Sequence, residues 1–279
     1  MLISETELEH RVITYVQDIK DQYAQWRDPP TLAHALGFRV VVGKLGQGRE
    51  GASLDDLIVV SPEGGTPGRQ TFTFYHEIVH RLIRRHDTLF SELHEQFTTS
   101  RDLNQILERL SNIGAAEFLI PRSEVLKECG VRGYSVEAIA RLRELTGASA
   151  TAVCVQVGLS APHRCVALVA RVKRISLRGQ TQLMTGVATR LVVELGVSSR
   201  TMRYRVAKDT PIEAGHLLHS VCRSQEGEIV NGKARIPFRQ GTNWPVDCEA
   251  MRLGAQVFAL FHADPAPQLL DDRQVRLGF

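Results

Sequence analysis

The chain has 279 residues, 43% hydrophobic and 23% charged, which excludes a disordered, collagen-like or coiled-coil protein and leaves length for two or three domains. No apolar run reaches the ~18–20 residues of a membrane span, Ser4–Glu9 is acidic where a secretory signal would be basic and apolar, and the five cysteines are scattered without a CxxC pair; a cytoplasmic chain without a disulfide framework or zinc ribbon is expected. The net charge of +3 conceals an asymmetry, −5 over Met1–Ile120 and +8 over Pro121–Phe279, so the basic half is the candidate for an acidic or nucleic-acid partner.

Leu8, Val12, Tyr15, Val16, Ile19 and Tyr23 recur at helical spacing and predict an opening helix that ends near Trp26, before Pro29 and Pro30. Phe38–Val42 and Leu57–Val60 read as strands, and because they are consecutive they are expected to form a hairpin. Phe72, Tyr75, Val79, Leu82 and Ile83 return to helical spacing over Gln70–Arg85. The polar stretch Asp87–Arg101 carries no clear period. A further helix is predicted from Asp102, as N-cap, to Leu119, where Pro121 stops it. Ser135–Thr146, Gly147 and a short helix after Ser149 outline a helix-turn-helix. Beyond Pro162 the texture changes to strands at 165–172, 183–195, 201–207, 233–238 and 256–261, with one helix at 212–221. The fold class is therefore α+β and multidomain, with a largely antiparallel sheet in the C-terminal part.

The chemistry concentrates in His76-Glu77-Ile78-Val79-His80, an HExxH motif inside a predicted helix. A spacing of four puts both imidazoles on one helical face, where they can hold the same Zn²⁺ at about 2.0–2.1 Å, and the glutamate next to the first ligand can serve as general base. A catalytic zinc needs a third protein ligand. His86 has the HExxHxxIxxH spacing, but the β-branched Ile83 occupies the position where that pattern needs glycine to break the helix. Glu108, in the next predicted helix with Asn112, Ala115, Ala116 and Leu119 along one side, would complete a His₂Glu set; spacing alone does not separate it from Glu92, Glu95 or Glu117.

The block Arg69-x-x-Phe72-x-x-Tyr75-His76-Glu77-x-x-His80, followed by Glu108-x-x-x-Asn112-x-x-Ala115-Ala116-x-x-Leu119-x-Pro121, resembles the ImmA/IrrE family of zinc metallopeptidases, and most closely its radiation-response members. The resemblance covers about the first 160 residues well. It implies a zincin-like metallopeptidase domain at 1–122 with a small β-sheet, a helix-turn-helix-like unit at 123–161 and a GAF-like α+β sensor domain at 162–279. It also implies metal ligands His76, His80 and Glu108, the catalytic glutamate Glu77, and Zn²⁺ as cofactor, with Mn²⁺ as the cellular alternative. The implied substrate is an HTH-type transcriptional repressor whose cleavage switches on a DNA-damage response. Two other functions compete: a ligand-sensing, DNA-binding regulator, and an anti-repressor protease of a mobile element.

Other signals carry less. Gly46-Gln47-Gly48-Arg49-Glu50-Gly51 matches GxGxxG, but strand-forming residues follow it where a dinucleotide site needs a helix. The second helix of the helix-turn-helix has no Lys or Arg over Ala150–Gly158, which favours partner docking over DNA contact. Basic residues gather instead at Arg171, Lys173, Arg174 and Arg178, and at Arg200, Arg203, Arg205 and Lys208; Arg203 and Arg205 are expected on one strand face, read first as a solvated face and second as a site for a small anionic ligand or acidic partner. His216 and His219 lack a third ligand.

Overall fold

The computed structural model describes residues 3–25, 28–46, 50–62, 67–178, 185–240 and 245–264. Trp26, Gln47, Gly48, Arg49, Gly64 and Gly65 lie outside them, as does the side chain of Arg178. The chain divides into two compact units, Met1–Pro121 with Thr146–Ser149, and Arg122–Leu145 with Ala150–Phe279. No described helix is long and apolar enough to cross a membrane.

The first unit is mainly helical. It runs α1 (Glu5–Gln22), α2 (Pro29–Ala35), β1 (Arg39–Val42), β2 (Gly51–Leu54), β3 (Leu57–Val60), α3 (Pro67–Arg85), α4 (Asp87–Gln96) and α5 (Ser100–Leu119). The helices start where short polar side chains satisfy free backbone N–H groups. Ser4 accepts from the Glu7 amide, Asp28 from Thr31 and Thr99 from Asp102. Thr99 rather than Asp102 is therefore the cap of α5; Asp102 sits inside the first turn, and its carboxylate accepts from the Thr99 hydroxyl at 2.7 Å. The unassigned polar stretch forms α4, which buries only Leu89 and Leu93.

The expected hairpin of the first two strands is corrected. β1 pairs with β3 in parallel, and the antiparallel partner of β3 is β2, giving the order β1-β3-β2. The segment Gly51–Leu54 has no β-branched residue, so it carries little strand signal of its own. It turns back at Asp55, whose φ of 50° is the left-handed conformation that aspartate tolerates better than most residues. Leu8, Val12, Val16 and Ile19 of α1, Ile78, Val79, Leu82 and Ile83 of α3, and Ile106, Leu107, Leu110 and Phe118 of α5 fill one core, joined by Ile58 of the sheet.

The second unit begins with α6 (Arg122–Arg132), α7 (Val136–Thr146) and α8 (Ala150–Ser160), followed by β4 (Cys165–Arg178), β5 (Thr185–Ser198), α9 (Leu217–Val221), β6 (Ile229–Ala234), β7 (Val246–Leu253) and β8 (Gln256–His262). The five strands form an antiparallel sheet in the order β5-β4-β8-β7-β6. Residues 201–207 form no strand, although Met202 and Val206 are buried while Arg203 and Arg205 are exposed. One face of the sheet, including Val166, Leu168, Phe261 and Ala250, packs with Leu218 and Val221 of α9. On the other face α8 approaches β4 so closely that a Cβ on Gly158 would lie 2.7 Å from the Cβ of Ala167.

A candidate metal centre on two helices

His76 and His80 face the same way from α3 because they are one turn apart. Their ring centroids are 4.6 Å apart, edge to face, and both side chains are mostly buried. Glu108 comes from α5 and meets both: its Oε2 is 3.3 Å from His76 Nε2, and its Oε1 is 3.2 Å from His80 Nε2. The packing of α3 on α5 makes this reach possible. At the crossing, a Cβ on Gly114 would lie 2.7 and 2.9 Å from the two methyl groups of Val79 and 3.2 Å from Val16, so only glycine admits this approach.

Donors around a tetrahedral Zn²⁺ with bonds near 2.0–2.2 Å lie about 3.4 Å from one another. The separations from Glu108 to the two imidazoles fit that figure, and all three ligand atoms fall within 4.8 Å of one another. The protonation chemistry fits as well. Burial, reinforced by neighbouring His76, brings the His80 pKa down to about 4, which leaves a neutral imidazole with a lone pair. His76 Nδ1 lies 3.1 Å from Asn112 Oδ1, one turn beyond Glu108; an amide oxygen only accepts, so Nδ1 carries the proton and Nε2 is left free for a metal.

Glu77 points elsewhere. It is 7% exposed and lies against β2, where a Cβ on Gly51 would come within 2.8 Å of its Oε1. Burial raises its pKa, a hydrogen bond with Ser53 and the charge of His76 oppose the rise, and the charge of Glu108 adds to it. A buried carboxylate with a raised proton affinity, within electrostatic reach of His76 and Glu108, is suited to accept and return a proton.

The competing candidates lie away from the two histidines or are engaged by other groups. His86 caps α4, accepting from the Leu89 amide at 3.4 Å, and packs edge-on against Tyr15. α3 does continue past Ile83, to Arg85. Glu92 pairs with Arg11. Glu95 is exposed on α4. Glu117 is buried and accepts from Gln17 Nε2 at 3.0 Å, while Lys20 Nζ reaches the backbone oxygens of Glu117 and Phe118 at 3.2 and 3.1 Å. At the glycine-rich loop, Gly51 opens β2 instead of a helix, and Arg69 holds Glu50 with contacts of 2.7 and 2.6 Å.

In the basic half, Arg171 pairs with Glu194 at 3.4 Å and Lys173 with Asp209 at 3.0 Å, whereas Arg174, Arg200, Arg203, Arg205 and Lys208 are exposed. His216 caps α9 and sets its Nε2 2.7 Å from the Arg235 carbonyl; His219 Nε2 lies 3.2 Å from that of Ile212. One cluster escaped the sequence reading: His163, Cys165 and His262, whose ligand atoms also lie within 4.8 Å of one another.

Residues 33–157 match the family model described as the IrrE N-terminal-like domain. The matched stretch, which is similar to that domain, contains His76, His80 and Glu108. It is 26% identical to the "Radiation response metalloprotease IrrE" of Deinococcus radiodurans, over 75% of this chain and 64% of that protein. It is 28% identical to the protein of the same name from Deinococcus deserti, over 84% of this chain and 82% of that protein. The chain thus spans less than two thirds of the first relative and about four fifths of the second. Among solved structures, a "Mycobacterium tuberculosis transcriptional regulator" shares the fold, with a TM-score of 0.56 at 15% identity, covering 92% of this chain and 77% of that one.

Proposed function

We propose that this IrrE-like protein is a zinc-dependent regulatory protease acting in the cytoplasm, and that its substrate is an HTH-type transcriptional repressor whose cleavage switches on a DNA-damage or radiation response. The observation that carries the reading is the meeting of His76, His80 and Glu108 beside the buried Glu77. His76 Nε2, His80 Nε2 and a Glu108 oxygen would hold the ion. A divalent cation in such a site supplies Lewis-acid polarisation of the scissile carbonyl and acidification of a water molecule. Glu77 is then the proton carrier: its carboxylate takes the proton of the attacking water and returns it to the departing amine. Asn112 keeps the His76 ring in one tautomer, and Glu108, 61% exposed, marks the side of the site open to a polypeptide.

Three functional parts accord with this role: the catalytic domain at 1–122, a helix-turn-helix-like unit at 123–161 and a GAF-like sensor at 162–279. The absence of Lys and Arg from α8 supports partner docking for the middle part. The five-stranded antiparallel sheet with a packed helix supports the sensor reading, and the exposed Arg203 and Arg205 offer a surface to an anionic ligand.

The test is to incubate the purified protein, loaded with Zn²⁺ or Mn²⁺, with the small HTH-type repressors encoded in its own genome. Cleavage of one repressor at one bond is expected, and Glu77→Gln should lower the rate by about 10²–10⁴-fold while metal content is unchanged. Equal cleavage by Glu77→Gln, or no cleavage of any such repressor, would overturn the proposal.

A further inference from the structure

The second unit contains a cluster that the proposed protease does not use. Cys165 opens β4 and His262 closes β8, and the two are direct partners in the antiparallel register, so both side chains emerge on the same face of the sheet. His163 stands two residues before Cys165 and turns its ring onto that of His262: the centroids are 5.2 Å apart, and His163 Nε2 is 3.0 Å from His262 Nδ1. The edge-to-face contact of Tyr134 with His163, centroids 5.6 Å apart, fixes the ring from the other side. Cys165 is fully buried, and its backbone is locked at both ends by Ser199, whose Oγ accepts from the Cys165 amide at 3.0 Å and whose amide donates to the Cys165 carbonyl at 2.9 Å. The two histidines are half-buried.

Two imidazole nitrogens and one sulfur, from two strand ends and the bend before β4, all within 4.8 Å, are the donors of a borderline or soft transition cation. Around a tetrahedral Zn²⁺, nitrogen donors lie about 3.3 Å apart and a nitrogen and a sulfur about 3.6 Å apart; the two imidazoles already stand at 3.0 Å, and the sulfur lies within 4.8 Å of both. A disulfide cannot account for the cluster, because all five cysteines are free. The hydrogen bond between the two imidazoles uses one N–H and one lone pair and does not involve the neighbouring sulfur.

We propose that His163, Cys165 and His262 form a second metal site, distinct from the HExxH centre, that binds Zn²⁺ or a cation of similar softness through two imidazoles and a thiolate. The ion takes a lone pair from each imidazole and the sulfur electron pair, and the thiol proton leaves to solvent, so no oxidant or reductant is required. The site ties the first residue of β4 to the last of β8 and makes the stability of the sensor-like unit depend on metal supply.

The two centres are separable because only this one contains sulfur. The full-length metal-free protein, with His76→Ala and His80→Ala introduced to silence the first site, is titrated with Co²⁺ and then with Zn²⁺. One equivalent is expected to bind with a near-ultraviolet thiolate-to-cobalt charge-transfer band that Zn²⁺ displaces. Cys165→Ser should abolish the band. Because Cys165 is buried, His163→Ala provides a second probe at a half-buried position: it should weaken Co²⁺ binding at least about tenfold while the circular dichroism spectrum stays native. Absence of the band from the parent protein, a band that survives Cys165→Ser, or Co²⁺ binding unweakened in His163→Ala would overturn the assignment.

Discussion

Each unit of this molecule brings together three side chains that could hold a metal ion, but the two clusters differ in their surroundings. In the helical unit the donors are two imidazoles and a carboxylate, and a further carboxylate, Glu77, lies buried alongside with its pKa raised. In the β-rich unit a thiol replaces the carboxylate donor, and the two acids on the same face of β7 are already engaged: Glu249 accepts from the Val136 amide at 3.1 Å, and Asp247 pairs with Lys233 at 2.8 Å. A proton carrier beside the ligands is what turns a binding site into a hydrolytic one. On that criterion the first cluster is equipped for chemistry and the second for holding.

The contrast can be broken one residue at a time. Glu77→Gln has the largest expected effect, loss of cleavage by about 10²–10⁴-fold with metal retained. Next, Glu108→Ala should weaken metal binding in the helical unit at least about 100-fold and leave the cobalt–thiolate band intact, as read by Co²⁺ titration with each site observed separately. Asn112→Ala frees the His76 ring and should lower affinity at the same site by about tenfold, with Asn112→Asp restoring most of it by keeping an acceptor in place. Gly114→Val forces methyl groups into Val79 and Val16; a destabilisation of about 1–3 kcal/mol by urea unfolding is expected, together with weaker metal binding because α5 is pushed off α3.

The smallest effect is on pH dependence. The folded protein holds the His80 pKa near 4 against an ordinary 6.5, so the unfolded chain binds the extra proton, and the stability of the metal-free protein falls as pH drops from about 6.5 to about 4. Glu77 acts in the opposite sense. Its raised pKa makes the buried carboxylate a liability at neutral pH that is relieved as acid protonates it. Thermal melts of metal-free Glu77→Gln should therefore show a higher Tm than the parent at pH 7 and a steeper loss of stability on acidification.

The two clusters also differ in how far the sequence announces them. His76 and His80 are visible because a helix turns four-residue spacing into proximity, and a continuous apolar stripe identified the helix. Glu108 needed more, since nothing in the spacing ranks it above Glu117; the packing of Gly114 on Val79 aims one at the histidines, and Gln17 and Lys20 hold the other end of α5 to α1. His163, Cys165 and His262 left no signal because 97 residues separate Cys165 from its partner in the register, and strand pairing is not written in local periodicity. β7 is legible in principle, since Val246-Asp247-Cys248-Glu249-Ala250 alternates apolar and polar as a half-buried strand does, whereas the first hairpin is misplaced because β2 has too little β propensity to be seen.

The turn at Asp55 also bears on the order in which the first unit assembles. β2 and β3 are joined by two residues, and a hairpin of that kind closes within about 1–10 μs, whereas the parallel pairing of β1 with β3 must first close the chain between Val42 and Leu57. Pulse-labelled amide exchange during refolding should accordingly protect the Ser61 amide, which donates to Glu50, before the Gly43 amide, which donates to Val60. The floor beneath Glu77 is then laid by the fastest local contact in the sheet, and the Glu77 carboxylate meets a preformed surface when α3 docks.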